Sequence, residues 1–201
     1  MKPNNNSRSL IITNLVLAVL VFIVSNLYAQ NKPKVNIQNT FISSGWMDDG
    51  EYGRKYIDFD EACETNPKTA PDCIKIKYIY GPKHCAGIYW QNEPNNWGGE
   101  RGNDYSKMGL TKVSFWARGE TGSEVVEFKT GGINKVQKKY HDSFRGSTGK
   151  IHLTKEWKQY FIDISTADLS SVIGGFCWAA SIDNNKNKKS ITFYIDDIYF
   201  E

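Results

Sequence analysis

The sequence predicts an all-β fold, a jelly-roll sandwich of about eight to ten short strands. Three observations carry this. From Phe41 onward apolar and polar residues alternate with period two, the pattern of strands that bury one face. Beyond residue 29 no amphipathic stretch is long enough for more than a single helical turn. Clusters of Gly, Pro, Asn and Asp interrupt the alternating segments at short intervals, as turns do.

The N-terminus stands apart. Lys2 and Arg8 precede an apolar run from Leu10 to Val24, and Ala29 supplies a small residue before Gln30. This predicts a signal peptide over 1–29, cleaved after Ala29. If it is uncleaved, the run together with Leu27-Tyr28 is long enough to act as a membrane anchor. The first cysteine is Cys63, which gives a bacterial-type lipid anchor no attachment point. Residues 30–40 are polar, with Pro33, and read as a tether or an irregular first strand. The β domain then spans 41–201.

In chain order, Tyr56–Phe59 is a short strand. Ile74, Ile76, Tyr78 and Tyr80 alternate with Lys75 and Lys77, giving a half-exposed strand. Val113, Phe115 and Ala117 alternate with Lys112, Ser114 and Trp116. Val126 and Phe128 lie opposite Glu127 and Lys129, before Gly131-Gly132 ends that strand. Residues 131–150 are rich in Gly, Lys, Ser and Asp and read as a long loop. Strands resume at Trp157–Ile164 and Gly175–Ala180. The longest, Ile191–Glu201, closes the chain.

The whole chain carries a formal +3, and the leader's two basic residues leave +1 for the rest. That balance argues against a nucleic-acid partner, which calls for a strong basic surplus. The lysines at 135–139 and 186–189 sit among Gly or Asn and read as solvated loops. Four cysteines in an exported chain predict two disulfides, for which three pairings exist. Cys63 and Cys73 bracket a Pro-containing loop that needs a staple, which leaves Cys85 with Cys177. The paired short spacings of a zinc site are missing.

Chemistry concentrates in Gly87–Gly99. Ile88 and Trp90 share one strand face, Tyr89 and Gln91 the other, and Pro94 breaks the strand into a loop containing Asn92, Asn96 and Trp97. Flat rings beside amides suit a sugar, whose C–H faces stack on aromatics and whose hydroxyls need polar partners. Trp90 could equally be core, and Trp97 could plug its loop. Trp178, beside Cys177, could line the same face as Trp90. Arg118, Glu127 and Lys129 are the further polar candidates, the last two sharing one strand face. Trp116 and Trp157 read as core anchors.

Further stretches carry a resemblance. Leu110–Gly119, Val125–Lys129, Leu153–Tyr160 and the closing Phe193-Tyr194-Ile195-Asp196-Asp197-Ile198-Tyr199-Phe200-Glu201 together resemble the galactose-binding-like β-sandwich domains that include many bacterial carbohydrate-binding modules. The resemblance covers roughly residues 45–201. It implies a non-catalytic domain holding a poly- or oligosaccharide on one sheet face or loop edge, and the leader makes that domain secreted, periplasmic or cell-surface. It also implies partnership with a secreted glycoside hydrolase and a structural Ca2+ away from the sugar. The acids available for calcium are Asp48, Asp49, Asp58, Asp60, Glu61, Asp196 and Asp197. Asp196 and Asp197 point to opposite faces of their strand, and Asp196 is the chosen ligand.

Two alternatives stand beside this reading. A small glycoside hydrolase or lyase on the same fold would need paired carboxylates. Asp58 and Asp60 are the only such pair on a predicted strand, and a third acid is missing. An adhesion or structural domain would use the aromatic strip to bind protein.

Overall fold

The computed structural model describes residues 33–186 and 188–201 together with Asn14. The expected leader and its cleavage site therefore lie, Asn14 apart, outside the described residues. No helix among the described residues is long and apolar enough to cross a membrane.

The strands, in chain order, are β1 (Val35–Asn36), β2 (Ile42–Asp48), β3 (Ile57–Cys63), β4 (Cys73–Ile79), β5 (Cys85–Gln91) and β6 (Lys112–Gly119). They continue as β7 (Val125–Gly131), β8 (Arg145–His152), β9 (Lys158–Asp163), β10 (Gly174–Ser181) and β11 (Ser190–Phe200). One helical turn, α1 (Ile37–Thr40), lies between β1 and β2, and the Asn36 side chain caps it by accepting from the Asn39 N–H at 3.1 Å. Two antiparallel sheets result. Sheet I runs β3-β4-β11-β6-β9, with β1 pairing the far end of β11, and sheet II runs β2-β5-β10-β7-β8.

Period-two alternation sets what each sheet turns inward. Ile74, Ile76 and Tyr78 of β4, Val113, Phe115 and Ala117 of β6, and Phe193 and Ile195 of β11 face the core from sheet I. Ile88 and Trp90, Val126 and Phe128, and Phe176 and Trp178 meet them from sheet II. The rings interlock: Phe115 lies 4.6 Å from Phe128 and 5.0 Å from Phe176, and Trp178 lies 5.3 Å from Phe193. Each such side chain contributes about 1.5–3 kcal/mol through burial.

Within 30–40, where a tether or irregular strand was expected, Val35 and Asn36 pair with Phe200 and Tyr199, and Ile37 is fully buried. The stretch 131–150 is not all loop, because β8 begins at Arg145 and takes up its C-terminal end. Most β8 residues are exposed, so the strand has no apolar alternation to reveal it, and its backbone bonds to β7 hold it at the sheet edge.

The cysteines correct one expectation and sharpen another. Cys85 pairs with Ser181 and Cys177 with Tyr89, which places them four residues apart along the β5–β10 ladder. At ~3.4 Å per residue that is ~13 Å, beyond the ~7 Å Cα limit for a disulfide. Cys85 and Cys177 are not a bridge pair. Cys63 and Cys73 face each other directly across β3 and β4. All four stand as free thiols, and the Cys73 thiol points at the Cys63 carbonyl 3.4 Å away. Burial pushes the Cys73 thiol pKa up to about 12.

Candidate functional site

The outer face of sheet II gathers most of the residues singled out above. β5 turns Tyr89 and Gln91 to this face, β10 turns Cys177 and Ala179, and β7 turns Glu127 and Lys129, because each is out of phase with the core residues beside it. Trp90 and Trp178, expected as candidate platforms, have the opposite parity. They are 1% and 0% exposed, packed edge-on among Phe59, Phe176 and Phe193 between the sheets. Both are core residues, closed to any ligand.

Beyond Gln91 the chain folds back as the loop 92–101, and its amides build it. The Gln91 side chain is fully buried; its Nε2 donates to the Asn96 carbonyl at 2.8 Å, and its Oε1 accepts from Ser44 Oγ at 3.0 Å. Asn92 donates to the Arg101 carbonyl and accepts from Asn96 Nδ2, at 2.8 and 2.9 Å. Asn96 also donates to the Glu100 carbonyl, and its Oδ1 accepts the N–H groups of Gly98 and Glu100. Gln91, Asn92 and Asn96 thus spend their hydrogen bonds inside the protein and hold the loop, where sugar contacts had been expected. A buried amide left unpaired would cost about 1–3 kcal/mol, which is why the loop closes on them.

That network seats Trp97. Its indole stands half-buried, edge-on to the Tyr89 ring at 6.0 Å and 80°. Tyr89 is itself buried, and its hydroxyl donates to the Gly131 carbonyl at 3.1 Å. Tyr89 therefore works as the seat, and Trp97 as the ring that reaches solvent. Ile133, Ile173 and Cys177 complete the apolar patch, with Met47 and Tyr140 at its margin.

The loop 131–144 closes over the same end. Tyr140 N–H donates to the Gly98 carbonyl at 3.0 Å. Gly98 has φ +100, and a Cβ there would run into the Tyr140 carbonyl, so only glycine permits this approach. The loop is pinned from below by Asp142, whose carboxylate accepts the N–H groups of Ile133, Ile173 and Gly174. Burial outweighs these three contacts and pushes the Asp142 pKa up to about 6. Cations lie over the rings: Lys135 Nζ is 4.3 Å from the Trp97 centroid, and Lys139 Nζ is 5.0 Å and the Arg101 guanidinium 5.8 Å from that of Tyr140. A hydrogen bond from Lys139 and its charge hold the Tyr140 phenol below its ordinary pKa.

Along the sheet a groove of about 290 Å³ opens between strands β2, β5, β7 and β10. Met47, Asp48, Glu127, Lys129, Lys150 and Ala179 line it. Glu127 accepts from Ser147 Oγ at 2.6 Å and pairs with Lys129 at 3.3 Å. Met47 belongs both to this groove and to the apolar patch around Trp97, and a partly apolar groove with polar side chains beside an exposed ring can hold a flexible polyhydroxylated chain. Sequence reasoning missed Met47, Lys135, Lys150 and Ser147. The only signal for Lys135 was the lysine cluster at 135–139, which looked like a solvated loop because its neighbours in space belong to another segment.

Two predicted residues lie on the far side of the sandwich, on the outer face of sheet I. Arg118 is buried between the rings of Tyr194 (3.6 Å) and Trp157 (5.3 Å) and donates to the Thr65 carbonyl at 3.2 Å. Trp116, expected in the core, is half-buried on this outer face with Lys68 4.0 Å above its ring. Asp196, the chosen calcium ligand, accepts the N–H groups of Lys68 and Thr69 at 3.0 Å and of Asp197 at 2.7 Å, which fastens the 64–72 loop over sheet I. No group of three or more His, Cys, Asp or Glu side chains placed to hold a metal occurs among the described residues. Asp58 and Asp60 are exposed and face Lys77 and Lys75 across the β3–β4 pair, in a cross-strand charge arrangement.

Two solved structures share this architecture. One is the family 11 carbohydrate-binding module of the cellulosomal cellulase Lic26A-Cel5E of Clostridium thermocellum. It is 13% identical with a TM-score of 0.54, and the match covers 84% of this chain and 92% of that one. The other is a family 30 carbohydrate-binding module, 15% identical with a TM-score of 0.50, covering 84% of this chain and 98% of that one. The chain therefore has the β-sandwich fold of carbohydrate-binding modules, as the resemblance in its sequence implied. No protein-family model and no curated protein sequence matches it.

Proposed function

We propose that the protein is an exported, non-catalytic carbohydrate-binding domain that holds a poly- or oligosaccharide across the outer face of sheet II. The observation that carries this reading is the seating of Trp97: a half-exposed indole, braced edge-on by buried Tyr89, in an apolar patch that shares Met47 with the groove on that face. A large ring kept partly in water by a loop that Asn92 and Asn96 hold in place gains less from folding than a core ring does. It does provide a rigid stacking surface for a sugar. Glu127, Lys129 and Ser147 supply partners for hydroxyls along the groove. Likeness to carbohydrate-binding modules in fold supports the assignment, although a fold by itself hosts many functions.

The leader sequence supports secretion or display at the cell surface after cleavage behind Ala29. There the domain would work beside a secreted glycoside hydrolase. A glycan array probed with the protein, alongside a reducing-sugar assay, tests the reading. Saccharide bound without release of reducing ends is the expected result. Release of reducing ends would move the protein to the hydrolases, and silence across the array would remove the carbohydrate reading.

A further inference from the structure

The rings of the patch that shares Met47 with the groove are not bare. Lys135 lies over Trp97, and Lys139 and Arg101 lie over Tyr140. Lys129 and Lys150 add two cations along the groove. These five come from the 92–101 loop, the 131–144 loop, β7 and β8, segments that only the fold brings together. Against them stand the groove's two carboxylates, Asp48 and Glu127. Glu127 is occupied by Lys129 and Ser147. Asp142, beneath Tyr140, is turned to three backbone amides. Glu93 and Glu100 are exposed, and neither pairs with these cations. Among the described residues Arg101, Lys135, Lys139 and Lys150 form no ion pair at all. Residues 131–141 contain three lysines and no acid, in a chain whose formal charge is only +3. The excess is local.

This local excess bears on what can stack. A neutral sugar settling on the Trp97 face that Lys135 covers has to displace the ammonium and forfeits that cation–ring attraction. A sugar bearing an anionic substituent keeps the ammonium beside it and exchanges the ring contact for a charge-assisted hydrogen bond. Lys129 and Lys150 line the groove, and Lys135, Lys139 and Arg101 lie over the rings of the patch that shares Met47 with it, so a bound anion on this face meets a local positive potential. Arg101 adds a planar donor fork that matches a carboxylate or a sulfate ester in two-point contact.

We infer that the saccharide held in this groove is anionic, carrying carboxylate or sulfate groups that the cations over Trp97 and Tyr140 receive. This rests on the carbohydrate-binding reading above and names the ligand class of the same site. It is tested with the intact protein by affinity electrophoresis and calorimetry on four probes: polygalacturonate, dextran sulfate, a neutral mixed-linkage β-glucan and single-stranded DNA. Each is measured at about 20 mM and about 200 mM NaCl, which changes the screening length roughly threefold.

The expected result is binding of polygalacturonate or dextran sulfate in preference to the β-glucan, weakening by about tenfold or more at the higher salt. Which of the two binds separates carboxylate from sulfate recognition. Lys135→Gln with Lys139→Gln should cost about fivefold or more in that affinity, from two exposed charge contacts, with a fall in melting temperature no larger than the few degrees that the two lost ring contacts account for. Trp97→Ala should weaken the same interaction. Salt-insensitive preference for the neutral β-glucan overturns the inference and leaves the carbohydrate-binding function standing. Anionic polymer bound equally well by the Trp97→Ala protein marks simple ion exchange and also overturns it. Tighter retention of single-stranded DNA moves the surface to nucleic acid, and no saccharide bound at all removes both readings.

Discussion

Trp97→Ala separates a binding ring from a packing ring, because the structure assigns it a calculable share of each. The substitution deletes the edge-to-face contact with Tyr89 at 6.0 Å, worth about 0.5–1.5 kcal/mol. It also deletes the Lys135 contact at 4.3 Å, worth about 0.5–1 kcal/mol at an exposed site. The folded state should therefore lose about 1–2.5 kcal/mol, or roughly 2–10 °C in melting temperature for a domain of this size. That is well short of the ~3–5 kcal/mol expected on truncating a fully buried tryptophan. The sequence alone left Trp97 open between a platform with almost no part in stability and a loop plug; the Tyr89 seat is why an intermediate loss is now expected. Affinity for saccharide should fall by about 1–3 kcal/mol, roughly 5- to 150-fold, the scale for removing an anchor at a binding site. Thermal melts give the first quantity and calorimetric titration of the folded variant gives the second. A stability loss above about 3 kcal/mol with full affinity in the remaining folded protein would mean that Trp97 is a plug, and the reasoning would fail.

Four further outcomes are expected. Trp90→Ala and Trp178→Ala should each cost about 3–5 kcal/mol in urea unfolding, with binding lost only in step with unfolding; a folded variant with specifically weakened binding would return that ring to the site. Asn96→Ala removes two donated and two accepted hydrogen bonds from the loop; it should cost about 1–3 kcal/mol and also weaken binding, because Trp97 loses its seat, so unchanged affinity would detach the loop from the site. The Asp142 carboxyl has a folded pKa raised to about 6 from 3.8, so its contribution to stability is fully present below its unfolded pKa and is lost as pH rises through about 6. The stability of the wild type relative to Asp142→Asn should therefore decline between about pH 4 and 7, and a carboxyl carbon resonance titrating below about pH 4 would contradict this. Peptide mapping of protein recovered from an oxidising compartment should find Cys63 joined to Cys73, closing a loop worth about 3 kcal/mol; Cys63 found on any other cysteine would refute the pairing.

The relation between chain and fold is clearest on β5. Period two settled that Ile88 travels with Trp90 and Tyr89 with Gln91, and both pairs keep that parity. It could not settle which pair faces inward, because both contain an aromatic residue. The inward choice followed from the partners that pairing and packing supplied, Phe176 and Phe59 for Trp90. The amides of Gln91, Asn92 and Asn96 were visible as polar groups in a tryptophan loop. Whether they serve the loop or a ligand depends on where the backbone carbonyls of Asn96, Glu100 and Arg101 come to lie, which no local pattern encodes.

Most of the all-β fold was thus legible in the chain by itself, since alternation and turn residues act over a few neighbouring positions. The exposed edge strand β8 was not, because its stability comes from backbone bonds to β7 and leaves no trace in side-chain hydrophobicity. Equally hidden were the sides on which Arg118 and Asp196 fall, fixed by strand order within sheet I. The cations over Trp97 and Tyr140 were decided by tertiary structure alone. Lys135 and Trp97 are 38 positions apart in sequence, and they meet because the Gly98–Tyr140 contact and the Asp142 clamp bring two loops onto one sheet face.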